Sequence, residues 1–312
     1  IHKTFDVEVP LKEFFQSPTI KALGEIINNL EKSAYLEIPP VETREDYEIS
    51  SAQRRLYILQ QLDKNSTAYN MTQVMLIEGE LDISRLRNVF KQLVDRHEAF
   101  RTTFEIKDDL IVQKIKEDVN FDIEYREINL EGESEEEIVE KSVRDFVKPY
   151  NLSTAPLLRV SLIKLLSDSE ESTKDRYILI YDIHHIISDG VSMGILMRDF
   201  IELYRGQELE PLKIQYKDFA HWQNKLFESE DMKLQRKYWL DQLKGELPSL
   251  RMPLDYKRGQ NQTFAGKSVS FKIPDKLVTK MKGLATERNI TLNILLTSIY
   301  NILLNKYAQQ DD

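Results

Sequence analysis

Apolar residues recur along this chain in two rhythms, and the places where one rhythm gives way to the other divide it into elements. Near the N-terminus Ile20, Leu23, Ile26, Ile27 and Leu30 repeat every three or four positions, as one face of a helix does, with Ser17 as the expected N-cap and Pro18 at the first helical position. The same spacing runs through Ile83, Leu86, Val89, Phe90, Leu93 and Val94 behind Asp82. It returns in Met193, Leu196, Met197, Phe200 and Tyr204, closed by Gly206. Further helices are expected from Ser50 or Ser51 to about residue 62, after Gly132 to near Val147, where Pro149 prevents continuation, and over residues 216–227, 232–243, 275–288 and 291–307.

Between these helices the pattern is that of strands. Residues 74–77 are short and apolar, and residues 102–106 and 110–115 flank Lys107-Asp108-Asp109 as a hairpin. Phe121, Ile123 and Tyr125 alternate with polar residues, residues 157–166 and 177–183 are nearly continuous apolar runs around a polar loop at 167–175, and residues 269–273 read as a last strand. Helices and strands mix without strict βαβ alternation, so the expected class is α+β, a mixed sheet with flanking helices and not a doubly wound one. No internal repeat is visible.

Phe5, Val7, Val9, Leu11, Phe14 and Phe15, together with the helix that follows, are too little to make a core, so residues 1–34 read as the end of a domain. Pro39-Pro40 and mixed charges make residues 35–48 an extended linker; residues 49–225 form the main domain and residues 226–312 continue into more helices. With 312 residues, 41% of them hydrophobic, the chain can bury a large core. Forty-three basic against 52 acidic residues give a net charge of −9, with the acidic residues in runs, which argues against nucleic-acid binding. There is no cysteine, hence no disulfide, thiolate nucleophile or cysteine-bound metal, in keeping with a reducing cytoplasm. No apolar run approaches the ~20 residues of a membrane helix, so no membrane role is expected.

The chemistry concentrates in His184-His185-Ile186-Ile187-Ser188-Asp189-Gly190, between a strand and a helix. Neighbouring strand residues point to opposite faces, so only one histidine can face a given cavity. A histidine at a strand end, followed by a glycine and a helix N-terminus, sets an imidazole beside unpaired backbone N–H groups, a place to handle an oxyanion. Three other arrangements fit the same residues: a buried His–Asp ion pair at a turn, a His–His–Asp metal site lacking a convincing fourth ligand, and a Ser–His–Asp hydrolase built on Ser188 without a nucleophile elbow.

The HHxxxDG pattern of His184–Gly190 resembles the active-site motif of the chloramphenicol-acetyltransferase-like superfamily, which includes condensation and epimerization domains. Three more segments resemble condensation-domain motifs, in the right order: Ser50-Ser51-Ala52-Gln53-Arg54-Arg55-Leu56-Tyr57, Arg96-His97-Glu98-Ala99-Phe100-Arg101-Thr102-Thr103-Phe104 and Tyr216-Lys217-Asp218-Phe219-Ala220-His221-Trp222-Gln223. Residues 5–27 are similar to the last part of a peptidyl carrier domain, whose phosphopantetheine-bearing serine would lie upstream of Ile1.

This resemblance implies a nonribosomal peptide synthetase fragment with a chloramphenicol-acetyltransferase-like sandwich lobe, the start of a second lobe, and an N-terminal carrier remnant. The implied reaction is attack of an acceptor aminoacyl thioester's amine on a donor thioester. No cofactor is bound directly, since substrates arrive on 4′-phosphopantetheine arms of upstream and downstream peptidyl carrier domains, with an adenylation domain as neighbour. His185 is implied as base or positioning group, with His184 supporting the strand end, Asp189 structural and the Gly190 N–H a candidate oxyanion donor. Arg96, Glu98 and Arg101 are expected to brace the hairpin, one arginine pairing with Asp189, while Ser188 supports the turn, Gln53 and Arg54 cap or brace, and Tyr216 and Trp222 pack helices against the core. An epimerization domain follows the glycine with a Val-Ser-Trp-Arg type sequence where this chain has Val191-Ser192-Met193-Gly194, and a heterocyclization domain replaces the first histidine with aspartate. A carrier-docking module without catalysis is the alternative from another class.

Overall fold

The computed structural model describes residues 1–17, 19–30, 37–130, 132, 134–166, 175–257, 266–267 and 269–311. Helices α1 (His2–Phe5), α2 (Leu11–Gln16) and α3 (Ile20–Asn29) precede β1 (Tyr47–Glu48), α4 (Ser51–Leu62), β2 (Asn70–Glu78) and α5 (Ile83–Arg96). A 3₁₀ turn (Glu98–Arg101) leads to β3 (Thr102–Lys107), β4 (Leu110–Ile115), β5 (Glu124–Asn129), α6 (Glu135–Phe146), β6 (Leu158–Leu166), β7 (Arg176–His184), α7 (Gly190–Tyr204) and α8 (Tyr216–Phe227). The chain divides into two units, Ile1–Ser229 and Glu230–Asp312, the second holding α9 (Glu230–Gln242), α10 (Asp275–Glu287) and α11 (Leu292–Ala308).

In the first unit a four-stranded sheet runs β2-β7-β6-β5, antiparallel except for the parallel pair β5–β6, beside a three-stranded antiparallel sheet β1-β4-β3. The fold is therefore α+β. Alternation along the strands feeds a core on each face of the larger sheet. Tyr177, Leu179, Tyr181 and Ile183 of β7, with Leu158, Val160 and Leu162 of β6, pack on Leu86, Phe90 and Leu93 of α5 and Leu196 of α7. Ile178 and Ile180, with Ile163 and Leu165, pack on Ile138 and Phe146 of α6. Both faces of β7 are covered, which is why its sequence is almost unbroken apolar. A third cluster of Ile49, Tyr57, Phe104, Tyr150, Leu152, Leu157 and Ile186 joins α4 and β3 to the end of β7.

Several expectations are corrected. The cap of α3 is Thr19, whose side chain accepts the Ala22 N–H at 3.2 Å; Ser17 instead ends α2, a helix that the apolar pattern did not announce. The later part of the expected linker is fastened to the main domain. Tyr47 and Glu48 pair with Gln113 and Val112 of the hairpin, Lys107 holds Asp46 at 2.5 Å, and the Val41 N–H reaches the buried Asp218 carboxylate at 2.8 Å. The alternation through Phe121 and Ile123 becomes a strand only from Glu124, where β5 meets its partner β6. Residues 269–273 form no strand: Val269 and Phe271 are 87% and 82% exposed, and among the described residues every strand lies in the first unit. Pro18, and residues 167–174 of the polar loop expected at 167–175, fall outside the described residues.

Candidate active site

β7 delivers the two histidines. Its ladder ends with His184 opposite Asn70 of β2, the His184 N–H donates to Leu157 O at 3.1 Å, and the His185 N–H donates to Tyr69 O at 2.8 Å. The chain then turns through Ile187 N–H to His184 O (3.1 Å) into α7, whose N-cap is Asp189. The Asp189 carboxylate accepts the Ser192 N–H at 2.8 Å and the Ser192 hydroxyl at 2.7 Å, and these bonds hold its pKa below the ordinary carboxylate value.

The neighbouring imidazoles have opposite surroundings. His184 is fully buried; its Nδ1 accepts the Ile186 N–H at 3.1 Å, so the proton sits on Nε2, which points at Gln60 Oε1 3.4 Å away. The Tyr150 ring stands edge-on to it at 5.8 Å. Burial, and then the nearby charge of His185, push the pKa of His184 down to about 4, so it is neutral near pH 7. His185 is exposed, and its Nδ1 lies 2.6 Å from Ser188 O. A carbonyl only accepts, so Nδ1 is the donor and, in the neutral ring, the Nε2 lone pair is left for a ligand.

This geometry disposes of the other arrangements of these residues. The Ser188 hydroxyl turns to Met193 Sδ at 3.5 Å and its carbonyl holds His185, so no Ser–His–Asp relay forms. His185 Nδ1 binds a backbone carbonyl and not the Asp189 carboxylate, and His184 is committed to Gln60 and Ile186, so the two rings and Asp189 do not converge on a shared point.

Among the described residues no arginine pairs with Asp189. Arg96 Nε meets Asp199 at 3.0 Å, ten residues into α7 and so about 15 Å along the helix from its N-cap, because α5 packs alongside α7. His97 Nε2, at 3.1 Å, and Arg198 complete the shell around the Asp199 carboxylate. Arg101 donates to the carbonyls of Val94 and Asp95 at the end of α5 and of Lys116 and Glu117 beyond β4, which ties the helix to the hairpin. Glu98 is held by Lys217 at 2.7 Å.

The other motif-like segments touch one another. Ser50 and Gln53 form the capping box of α4, and Ser50 Oγ lies 2.9 Å from the Tyr216 hydroxyl at the start of α8. Gln215, the N-cap of α8, donates to Arg96 O at 2.9 Å, and Gln223 accepts the Ser51 N–H at 3.0 Å. Burial raises the pKa of Tyr216, with a smaller push from the Asp189 carboxylate, which brings α8 within electrostatic reach of the α7 N-terminus. Trp222 packs on Phe219 and Phe219 on Tyr216. Sequence reading passed over Gln60 and Tyr150, the residues that wrap His184. Both come from distant segments and carry no local signal.

A cleft of about 530 Å³ floored by Tyr57, Phe104 and Leu152 reaches those same two residues. Among the described residues no helix is long and apolar enough to cross a membrane, and no group of three or more metal-ligating side chains is gathered.

With this geometry in view, comparison with known proteins is informative. The family model for the condensation domain matches residues 43–312. The chain is 44% identical over all 312 residues to gramicidin S synthase 2 of Brevibacillus brevis and 44% identical to surfactin synthase subunit 1 of Bacillus subtilis (strain 168), yet spans only 7% and 8% of those proteins. Its fold is similar to that of the X-domain from teicoplanin biosynthesis in complex with OxyB (TM-score 0.74, 20% identity, 88% of this chain and 60% of that one). It is also similar to that of a four-domain nonribosomal peptide synthetase bound to AMP and glycine (TM-score 0.70, 24% identity, 92% of this chain and 21% of that one). A matching family model across most of the length, relatives above 40% identity over every residue, and a strand-end histidine pair in the motif's position lead to one assignment: the chain belongs to the condensation-domain family.

Proposed function

We propose that this chain carries the amide-forming site of a nonribosomal peptide synthetase, with His185 as its reacting side chain. The observation that carries the reading is the fixed tautomer of an exposed imidazole: Ser188 O holds Nδ1–H at 2.6 Å, so Nε2 presents a lone pair outward. An α-amine with a pKa near ~7.7–8 is largely protonated at neutral pH and must shed a proton to react. In the proposed step the neutral amine of an acceptor aminoacyl thioester attacks the donor's thioester carbonyl, and the C–N bond forms as Nε2 takes the amine proton. The C–S bond then breaks, and the proton passes to the departing thiolate. The proposed donor to the developing oxyanion is the N–H of Gly190, at the first turn of α7, where helix N–H groups have no partner within the helix.

Both substrates would arrive on 4′-phosphopantetheine arms of upstream and downstream carrier domains, with an adenylation domain as neighbour, in the cytoplasm. Residues 1–34 are read as carrier-domain sequence, residues 49–225 as the first lobe, and residues 226–312 as the passage into the second. The test is His185→Ala in the full-length protein, assayed for dipeptide formation between two loaded carriers. Positioned proton transfer is worth roughly 10²–10⁴-fold, and a loss of that size is expected. Undiminished turnover would reject the assignment.

A further inference from the structure

Of the buried ionisable groups that the mechanism above leaves unused, one lies on the histidine strand itself. Asp182 stands two residues before His184 on the same face of β7, is fully buried, and interrupts an otherwise apolar central strand. A carboxylate without water or partners is strongly destabilising, so its surroundings must supply donors. They come from the two flanking strands, β2 and β6. The Thr72 hydroxyl, directly opposite on β2, donates at 2.8 Å; Asn70 Nδ2 donates at 2.7 Å; Arg159, directly opposite on β6, places Nη1 at 3.9 Å. Burial still raises the Asp182 pKa, against the pull of those donors.

Two of these partners, Asn70 and Arg159, are also linked to the histidines. Asn70 follows Tyr69, whose carbonyl anchors the His185 N–H at 2.8 Å, and Asn70 pairs with His184 across the ladder. Tyr150, whose ring stands edge-on to His184, donates its hydroxyl to the Asp182 backbone carbonyl at 2.7 Å. The Arg159 guanidinium lies over that same ring at 3.8 Å and donates to the carbonyls of Lys148 and Pro149. Asn70 Nδ2 reaches Lys148 O as well, at 3.0 Å.

We infer that Asp182 is a positioning residue for the reaction assigned to His185: through Asn70 and Thr72 it clamps the first turn of β2 to the end of β7, which fixes the Tyr69 carbonyl that holds the His185 backbone. It touches no substrate. The inference rests on His185 as the reacting side chain, but its physical core, the coupling of a buried carboxylate to one backbone hydrogen bond, does not.

Two arms test it. Site-resolved hydrogen exchange on Asp182→Asn and, separately, Thr72→Val reads the His185 amide against the Leu162 amide in the middle of β6. The clamp predicts that His185 exchange quickens at least about tenfold relative to Leu162 in both variants. Equal acceleration of both amides, the mark of a purely global stability role, or no acceleration at all overturns it. In the full-length protein, the same variants are expected to lower kcat by about 10²-fold, the usual penalty of a misplacement on the order of 1 Å, with KM unchanged. A raised KM with intact kcat also overturns it. If the unaltered protein makes no amide, the reaction assigned to His185 fails, while the exchange arm still decides the clamp.

Discussion

The end of β7 and the turn that follows it differ by one residue and by almost everything else. On the strand side, His184 is sealed, neutral and spent on holding Gln60 and the Ile186 N–H. On the turn side, His185 is exposed and is held only by its backbone and by Nδ1, with Nε2 outward. The same imidazole is thus a packing element in one place and, in the proposed function, the reacting group in the other. What separates them is the strand's period of two together with the point where its ladder stops. A histidine pair in this setting divides the labour: one residue stabilises the turn that presents the other.

That contrast is breakable by mutation, most strongly where the two functions are kept apart. His185→Ala is expected to remove roughly 10²–10⁴-fold of activity while leaving the unfolding free energy within about 0.5 kcal/mol, as for an exposed side chain. His184→Ala is expected to do the reverse. It leaves a cavity and an unpaired buried N–H at Ile186, and denaturant unfolding should show a loss of about 2–4 kcal/mol. If either substitution produces the other's signature, the division of labour is wrong.

Acid sharpens the contrast further. The folded-state pKa of His184 is about 4, below its ordinary 6.5, so as pH falls the unfolded chain binds this proton first. Its contribution is fully present above pH ~6.5 and is lost progressively down to pH ~4, by about 3 kcal/mol in all. Asp182, whose pKa burial raises, acts with the opposite sign at acid pH, so the quantity to measure is the pH dependence of the wild type minus that of His184→Gln. A difference that stays flat between pH 6.5 and 4 would show that His184 is not sealed.

The smallest effect belongs to the turn's last polar residue. Asp189→Ala removes the α7 cap and should destabilise by about 1 kcal/mol in thermal or denaturant unfolding, whereas Asp189→Asn, which also caps, should recover most of it. Failure of the asparagine to recover stability would mean that the charge, and not the cap, matters.

How much of this was legible in the sequence depended on whether the information was local. The strand, the turn and α7 behind the histidines follow from apolar periodicity and from the cap and glycine signals, as do the hairpin and a helix capped at Ser50 or Ser51. The isolation of His184 was not legible. Alternation assigns a residue to a face but does not say what covers that face, and Gln60 arrives from 124 positions away. That Arg96 meets Asp199 was not legible for the same reason, since the packing of α5 along α7 is a tertiary fact. Residues 269–273 carry β-forming side chains but no partner strand, and a strand cannot be defined by one chain segment alone. In the same unit α11 forms where its pattern places it, yet none of its residues is buried, so helix propensity and burial are separate questions there. Asp182, a charge within an apolar run, was passed over in the sequence, and its meaning appeared only once Asn70 and Thr72 were seen across the ladder.

The most direct measurement is a pH titration of histidine-labelled protein followed by long-range proton–nitrogen NMR, which reports tautomer and protonation for each ring. The account predicts that His184 carries its proton on Nε2 and stays neutral until about pH 4, while neutral His185 carries its proton on Nδ1 with Nε2 unprotonated. A His184 that titrates near 6.5, or a neutral His185 protonated on Nε2, would contradict it.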